Sequence, residues 1–353
     1  MLSLPKKLNI SIPFSTKGSE KKIVKAIDRL EIERSDNLSF IDPAAVKISA
    51  IPLRLRTYRK LDDFIEHLSE KMSIAVKKGA QLVCFPELVG LIPLTMLPKY
   101  DKMLSDYKSC GSNDRGPFTN DILYEYFDFL QEVYFTTFSE LACQYGVFVQ
   151  AGSIYVFEGE QLFNRAYLFD PDGDVIGAQD KTHLTEDEVQ IGVTPGNKLS
   201  LMQTMLGNFC ISIGQDNCYF EIYRIAKGLG AQFMLCPTCN INFGCRHPNL
   251  ADVYLRVQET ALYGIKSSMS GDILQRRFGG VCGVYAPASI SPERQGVLAS
   301  SDSDMENPVG ARINLQKLDN VFSPNACDIN EDFSAQFAAR HYGAPSEAPQ
   351  SYV

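Results

Sequence analysis

Three short motifs contain side chains that are capable of chemistry. The stretch GAQLVCFPE ends at Glu87, QDKTHLTEDEVQIGVTPG contains Lys181 and Glu188, and GQDNCYFE contains Cys218. A carboxylate that follows a buried strand points into the crevice where α/β sheets place their sites, and a thiol can act as a nucleophile. Each motif also has a plainer explanation, because a lone glutamate is usually a solvated loop acid and polar loops usually form weak surface ion pairs.

The motif GQDNCYFE lies at a sharp turn from a strand into a helix. An apolar run at 209–213 precedes it and a helical pattern at 222–228 follows it. A cysteine at such a turn gains thiolate character from the helix N-terminus. Three interpretations are open: Cys218 is a nucleophile, Gly214 marks the place of a missing nucleophile, or the segment is only a turn.

A β-α-β unit would position Glu87. Residues 45–55 alternate between apolar and polar side chains, which predicts a first strand, and apolar residues recur at helical spacing over 61–75. Gly79 ends that helix, and residues 81–85 form a short buried strand that leads directly to Glu87.

The rest of the chain predicts more strands than helices. A helix is predicted at 118–145, where Gly146 ends it, and another at 249–264. Strands are predicted at 147–150, 154–157, 166–169, 175–178, 232–236, 281–286 and 295–299. The DPDG turn before 175–178 favours a hairpin. Because helices separate some strands and turns join others, the order predicts one α/β domain with two sheets.

Taken together, these motifs resemble the nitrilase superfamily of carbon–nitrogen hydrolases over roughly residues 46–300. The resemblance is carried by GA and FPE at Gly79-Ala80 and Phe85-Pro86-Glu87, by DKTHL from Asp180 to Leu184, by Pro195-Gly196, by Asp216 with Glu221, and by the run from Gly230-Ala231 to Pro237. It implies a single-domain, four-layer α-β-β-α sandwich at 46–318, with an N-terminal extension at 1–45 and a C-terminal tail at 319–353. It also implies homodimers that pair through outer helices, and activity without a cofactor.

The resemblance implies roles for the polar residues. The family uses a glutamate, a lysine and a cysteine, so Glu87 is expected to be the general base and Lys181 the cation that stabilises an oxyanion. Glu188 matches the family's second, supporting glutamate. The substrate is then a small molecule with an amide or nitrile bond, or a related ligand.

The expected nucleophile is missing at its position in the motif. The family pattern Cys-x-Asp-x-x-x-Pro-Glu places the cysteine seven residues before the glutamate, and counting back from Glu221 reaches Gly214. Asp216 matches the motif's aspartate, whereas Phe220 replaces its proline. We therefore expect Gly214, Gln215 and Asp216 to form part of the substrate-binding surface, with Cys218 as a fallback nucleophile that requires a rebuilt turn. A second departure is Tyr263-Gly264, where the family usually has a Glu-Asn pair.

Three functional hypotheses follow from these departures. The first is an amide or nitrile hydrolase in which Cys218, or a water activated by Glu87, replaces the cysteine. The second is a descendant without covalent catalysis that binds a ligand or catalyses another reaction. The third is a structural subunit that offers the aromatic helix at 118–145 to a partner.

Composition excludes several other classes. The net charge of −8 argues against nucleic acid and anionic membranes as partners, and no apolar run approaches the roughly 20 residues of a membrane span. Ten cysteines without a secretory signal predict reduced thiols in the cytoplasm. A zinc site formed by Cys236, Cys239, Cys245 and His247 is the alternative to packing cysteines, which we favour, so no metal is expected. His183 is expected to be a structural hydrogen-bond partner.

Overall fold

The computed structural model describes residues 19–97, 100, 120–240, 252–273, 276–301 and 306–321. In these residues the α-helices are α1 Ser19–Asp28, α2 Leu61–Lys77, α3 Asn120–Glu125, α4 Phe127–Tyr145, α5 Glu186–Gln190, α6 Phe220–Gly228 and α7 Val253–Thr260. Short 3-10 helices occur at Val89–Met96, Gly214–Cys218, Ala288–Ile290, Pro292–Arg294 and Leu315–Asn320.

The strands of the described residues form two mixed sheets. They are β1 Val46–Ala50, β2 Leu53–Arg54, β3 Leu82–Cys84, β4 Phe148–Glu158, β5 Gln161–Phe169, β6 Val175–Asp180, β7 Met202–Thr204, β8 Gly207–Ile211, β9 Phe233–Thr238, β10 Tyr263–Ile273, β11 Arg276–Phe278, β12 Gly283–Tyr285, β13 Val297–Ser300 and β14 Val309–Ile313. Sheet 1 has the order β14-β1-β3-β4-β5-β6, and sheet 2 has the order β13-β12-β10-β9-β8-β7, with β2 and β11 also paired to β10.

Helical crossovers connect the parallel strands of each sheet. In sheet 1, α2 joins β1 to β3 and α4 lies between β3 and β4, while in sheet 2 α6 joins β8 to β9 and α7 lies between β9 and β10. Parallel strands need such long connections because a tight turn cannot return the chain to the same end of the sheet. The crossovers place helices on one face of each sheet and leave the other faces to pack together.

Three apolar clusters define four layers. Ile65, Leu68 and Phe138 belong to the cluster between the first helices and sheet 1. The two sheets enclose a second cluster that includes Ile48 and Phe233, and a third cluster lies between sheet 2 and helices α6 and α7. The order is helices, sheet, sheet, helices, so the predicted single-domain α-β-β-α sandwich is confirmed.

The predicted strand at 45–55 is wrong at its centre. The chain leaves sheet 1 after Ala50, and Leu53 pairs with Met269 of sheet 2. Pro52 lies at the break, and proline lacks the backbone N–H that a continuous ladder would require. In contrast, the strands predicted at 147–150 and 154–157 are one strand, β4, with an irregularity at Gly152, whose φ is +64°.

The helix predicted at 249–264 extends too far in both directions. Helix α7 begins at Val253 and ends at Thr260, because Ala261 adopts a left-handed conformation with φ of +53°. The chain then forms β10, an 11-residue strand that the sequence did not predict. Buried polar residues, Lys266 and Ser267 among them, conceal its apolar pattern. Tyr263 and Gly264 therefore belong to a strand rather than to the end of the helix.

The N-terminal extension contributes to the outer helix layer. Helix α1 buries Ile23, Ala26 and Ile27, and it packs against α2 and α4. Most of the predicted C-terminal tail, residues 322–353, lies outside the described residues, as do residues 1–18. Within the described part of the chain, no helix combines the length and the apolar character needed to cross a membrane.

Candidate active site

The predicted polar residues follow strands of both sheets. Glu87 comes after β3 and Lys181 directly after β6 in sheet 1, while Gly214 comes after β8 in sheet 2. The backbone N–H of Lys181 donates to the carbonyl of Asn164 on β5, so the ladder fixes where the lysine leaves the sheet. These ends meet at one edge of the sandwich, which is where α/β proteins usually place their sites.

Lys181 lies between two carboxylates. Its Nζ is 2.8 Å from Glu87 Oε1 and 2.7 Å from Glu188 Oε2, and all three side chains are buried. Burial alone would lower the pKa of Lys181, but the charges of Glu87 and Glu188 outweigh burial and raise it. The lysine therefore stays an ammonium in a site that excludes most water.

A helix cap orients Glu188. Thr185 is the N-cap of α5, and its hydroxyl accepts from the Glu188 N–H at 3.3 Å. In return, Glu188 Oε2 accepts from the Thr185 N–H at 2.8 Å and from its hydroxyl at 3.0 Å. This reciprocal capping box fixes the same oxygen that receives Lys181. The sequence TEDE carried this capping signal.

Glu87 is a carboxylate with a raised pKa. Its Oε1 accepts from Lys181 and, at 3.1 Å, from Asn164 Nδ2, while Oε2 accepts from the backbone N–H of Cys239 at 2.9 Å. Burial is the largest cause of the raised pKa, Lys181 opposes it, and the negative charge of Glu188 adds to it. A buried carboxylate that takes up a proton more readily than usual is suited to general-base chemistry.

Asn164 is a site residue that the sequence did not reveal. Its Nδ2 donates to Glu87 Oε1 and, at 2.7 Å, to Glu188 Oε1, so the amide separates the two carboxylates. Its Oδ1 is buried and has no hydrogen-bond partner among the described residues. The only signal was a polar residue next to Arg165 in the largely apolar strand QLFNRAYLF.

Gly214 lies against the carboxylate of Glu87. The glycine has a φ of +51° and begins the 3-10 helix Gly214–Cys218. A β-carbon built on Gly214 would lie 2.6 Å from Glu87 Oε1 and 2.8 Å from its Cδ. The carboxylate therefore occupies the space that any side chain at this position would need. Gln215, the next residue, is half-buried.

Asp216 joins the turn to the residues that follow Lys181. Its carboxylate accepts from the Thr182 and His183 N–H groups at 3.1 and 2.6 Å, from the Thr182 hydroxyl at 2.8 Å, and interacts with His183 Nδ1 at 3.0 Å. His183 also stacks on Tyr219, with 3.7 Å between the ring centroids. The structure confirms His183 as a hydrogen-bond partner, and it gives Asp216 positioning contacts within the protein.

The structure does not bring Cys218 together with Glu87 and Lys181. Cys218 is exposed at the end of the 3-10 helix. Although the residue is exposed, partial desolvation of its thiol raises the pKa, and the charges that act on the thiol come first from Asp252 and Arg256 and then from Lys266. These residues lie on the other side of sheet 2, so the turn has not been rebuilt in the way that a Cys218 nucleophile requires.

The described residues contain no cluster of three or more metal-binding side chains. Cys236 is buried in β9, where its sulphur lies 3.3 Å from the hydroxyl of Tyr223. Cys239 follows the end of the same strand. The other two residues of the zinc alternative, Cys245 and His247, lie outside the described residues.

Comparison with known proteins identifies the class to which this fold and site belong. The carbon–nitrogen hydrolase family model matches residues 44–287, and the chain belongs to this family. The chain is 24% identical over 286 residues to the probable hydrolase YhcX of Bacillus subtilis, and this alignment covers 77% of the chain and 50% of YhcX. It is 28% identical over 118 residues to the omega-amidase NIT2 of Danio rerio, and this alignment covers 31% of the chain and 43% of NIT2. The chain thus spans half or less of the length of these relatives.

Solved structures share the fold at low sequence identity. A cysteine-to-serine mutant of an amidase from Nesterenkonia has a TM-score of 0.58 and 18% identity, and the match covers 78% of this chain and 95% of the amidase. Nit3 of Saccharomyces cerevisiae, a nitrilase-superfamily member, has a TM-score of 0.60 and 17% identity, with 81% and 96% covered. These likenesses support the fold.

Proposed function

We propose that this protein hydrolyses a C–N bond of a small amide or nitrile, with Glu87 as general base and Lys181 as the stabiliser of the oxyanion. The observation that carries the proposal is the ammonium of Lys181, which lies within 2.8 Å of both carboxylates in a buried site. Glu188 and Asn164 position these two groups. Family membership and the names of the relatives support the same reaction class.

The reaction divides the work between a base and a cation. Glu87 accepts a proton from the attacking group and later returns it to the leaving nitrogen. Lys181 stabilises the negative charge that develops on oxygen, and its charge is effective because the surroundings exclude water. Glu188 keeps the lysine in place during both steps. Gly214, Gln215 and Asp216 form part of the substrate-binding surface in this proposal, and Asp216 does so through its backbone because its carboxylate is bonded to Thr182 and His183.

Gly214 takes the position where the family has its nucleophile. A mutant of an amidase from Nesterenkonia carries the acetamide moiety of fluoroacetamide on its active-site cysteine. The spacing to Glu221 and the close approach of Gly214 to Glu87 support the assignment of this position to the glycine. A glycine has no group that could attack, so the nucleophile is a water molecule or a side chain from another element.

The release of ammonia from small primary amides and nitriles tests the proposal. We expect the wild type to release ammonia and the Glu87→Gln variant to be slower by about 100-fold or more, as is typical for loss of a general base. Glu186→Gln is a matched control, because Glu186 lies on the neighbouring helix and is exposed. Equal rates for the wild type and Glu87→Gln would contradict the assigned role of Glu87.

A specific observation favours a second function, which is ligand binding without hydrolysis. The carboxylate of Glu87 fills the space beside Gly214, so the site is closed where the family's cysteine would stand. In this case amides raise the melting temperature of the wild type by binding to the folded state, but no ammonia appears. For the same reason Gly214→Cys alone is not expected to create a hydrolase.

The same proposal includes a homodimer formed through helices α6 and α7. Ile225 and Leu229 are large apolar residues at the surface of this layer, 50% and 43% exposed. Burial of such residues is typical of subunit interfaces. Light scattering coupled to size-exclusion chromatography should show a dimer for the wild type and a monomer for Ile225→Glu. A monomeric wild type would contradict this part of the proposal.

A further inference from the structure

A second cysteine lies at the candidate active site. Cys239 follows β9 at the edge where Glu87 and Gly214 meet, and its backbone N–H donates to Glu87 Oε2 at 2.9 Å. The other oxygen of the same carboxylate receives Lys181. The backbone of Cys239 therefore contacts the carboxylate that binds Lys181, whereas Cys218 lies near the charges of Asp252 and Arg256.

The side chain of Cys239 packs against the apolar cluster that contains Met269, so it must rotate to reach a substrate. The residue is half-buried, and its sulphur lies 3.9 Å from the sulphur of Met269. A cysteine has one side-chain torsion with three staggered positions, so a single rotation moves the thiol while the backbone bond to Glu87 stays in place. Catalytic contacts that are loose in a protein without substrate commonly tighten when the substrate binds.

The surroundings of Cys239 oppose loss of the thiol proton, so a nucleophile at this position requires a base. Burial raises the pKa of the Cys239 thiol, the charge of Glu87 raises it further, and Lys181 opposes this effect. The thiol is therefore neutral at rest and needs a proton acceptor. Glu87 has a raised pKa as well, which makes the transfer of a proton from sulphur to this carboxylate less unfavourable.

An independent observation points to a ligand beside these groups. Asn164 is 1% exposed, and its Oδ1 has no hydrogen-bond partner among the described residues, although its Nδ2 donates to both carboxylates. The NH₂ group must face the carboxylates because they only accept hydrogen bonds, which leaves the oxygen as a free acceptor. Buried acceptors are rarely left unsatisfied, and the N–H of an amide substrate would supply the missing donor.

The other cysteines of the described residues are less suitable. Cys84, Cys210, Cys236 and Cys282 are buried within the sheets, whereas Cys143 lies on the outer helix α4. Cys218 is exposed and lies apart from Lys181. Of the thiols that the structure describes, Cys239 is the one whose own backbone contacts the base.

We infer that Cys239 is the nucleophile of this protein, that it acts in place of the side chain missing at Gly214, and that its substrates are primary amides. The inference rests on the proposed hydrolase function. Two residues then take the place of the single residue that the family uses: Gly214 leaves room for the carboxylate of Glu87, and Cys239 attacks from the end of the adjacent strand β9.

The steps balance without a further reactant other than water. Glu87 takes the proton from the Cys239 thiol, and the sulphur forms a bond to the amide carbon, whose oxygen becomes an anion next to Lys181. The C–N bond then breaks, and the nitrogen leaves as ammonia with the proton held by Glu87. Water next gives a proton to Glu87 and attacks the thioester, the C–S bond breaks, and the thiol regains its proton as the carboxylic acid departs.

Ammonia release and peptide mapping by mass spectrometry test the inference. The substrates are linear primary amides from acetamide to hexanamide, with wild type, Cys239→Ala and Cys239→Ser. We expect both variants to fall at least 100-fold in kcat while their melting temperatures stay close to that of the wild type. Cys143→Ser is the matched control, because Cys143 is also half-buried, and it should retain wild-type rates. Acid-quenched wild type should carry an acyl group on the peptide that contains Cys239.

The outcomes separate this inference from the function on which it rests. Hydrolysis that persists in Cys239→Ala, or an acyl group on Cys218, would overturn the role of Cys239 and leave the hydrolase function intact. A wild type that hydrolyses none of these amides or small nitriles would overturn both. A further measurement needs no variant: in the wild type, iodoacetamide should alkylate Cys239 more slowly when a primary amide such as isobutyramide is present in excess, and an alkylation rate at Cys239 that the amide leaves unchanged would count against a substrate site at this thiol.

Discussion

Two buried lysines in this molecule have different surroundings. Lys181 and Lys266 are each 2% exposed. Lys181 contacts two carboxylates at the edge where the sheets meet, whereas Lys266 pairs with Asp252 on the face of sheet 2 that α6 and α7 cover. One carboxylate is enough to neutralise a buried ammonium, so the second carboxylate at Lys181 needs another explanation.

The explanation lies in the net charge of each group. Lys266 with Asp252 sums to zero, whereas Lys181 with Glu87 and Glu188 carries one surplus negative charge when all three are ionised. Burial is the largest cause of the raised pKa of Glu87, and the surplus negative charge of Glu188 adds to it. One additional carboxylate therefore distinguishes the surroundings of Lys181 from the ion pair of Lys266.

The largest difference between the lysines should appear when each is replaced by methionine. Lys181→Met removes the ammonium that we propose as the oxyanion stabiliser, and we expect kcat for amide hydrolysis to fall by roughly 100- to 1,000-fold. Lys266→Met leaves Asp252 buried without a partner, which should lower the free energy of unfolding by about 3–5 kcal/mol but leave kcat of the folded protein unchanged. Urea unfolding and steady-state kinetics measure both effects. Equal loss of kcat in the two variants would remove the distinction.

The pH dependence of kcat/KM should reflect the surplus carboxylate. Glu87 must be ionised to act as a base, so activity falls as the pH falls through its pKa. Because that pKa is raised, the acidic limb should lie above the roughly 4.3 of an ordinary glutamate. Glu188→Gln removes a negative charge that raises the pKa of Glu87, so the limb should move to lower pH. Asp252→Asn is the control, and it should leave the limb in place.

Asp216 should contribute to stability through its contacts with the loop after Lys181. Asp216→Ala leaves the partly buried donors of Thr182 and His183 without the acceptor that they have in the wild type, which should cost about 1–3 kcal/mol in the free energy of unfolding. We expect kcat to fall as well, because the loop that carries Lys181 loses its attachment. Asp172→Ala is the control, since Asp172 is 82% exposed. Urea unfolding measures the stability of both variants. Equal unfolding midpoints for Asp216→Ala and Asp172→Ala would contradict the expectation.

The smallest effect is expected at the helix cap. Thr185→Ala breaks the capping box that orients Glu188, which should lower the free energy of unfolding by about 1 kcal/mol. Thr185→Ser retains the hydroxyl and should restore most of this loss. A loss of stability in Thr185→Ser as large as in Thr185→Ala would show that the hydroxyl is not responsible.

The sequence was informative where chemistry and packing gave the same signal. The β-α-β unit that ends at Glu87 and the hairpin before Lys181 were predictable, because apolar spacing and turn residues mark them clearly. Strand β10 was not, since Lys266 and its polar neighbours interrupt the apolar pattern and find partners only in the folded chain. Local patterns do not reveal a partner such as Asp252, which lies 14 residues away in the sequence.

The same limit applies to the candidate site. Glu87, Lys181 and Glu188 were found through motifs, and the spacing drew attention to Gly214. Asn164 was missed because one polar residue in a strand carries no indication of what it faces. The position of Cys239 depends on how the end of a strand in sheet 2 meets Glu87, and this contact between the sheets has no signature in the sequence.

The central claim is that Glu87 is a surplus carboxylate with a raised pKa, held against Lys181 together with Glu188. A carbon-13 NMR titration of the side-chain carboxyl groups measures this directly, and the signal that disappears in Glu87→Gln identifies the residue. The account predicts that this signal titrates above about 4.3 in the wild type and moves to lower pH in Glu188→Gln. A wild-type signal that titrates at or below that value, with no change in Glu188→Gln, would contradict it.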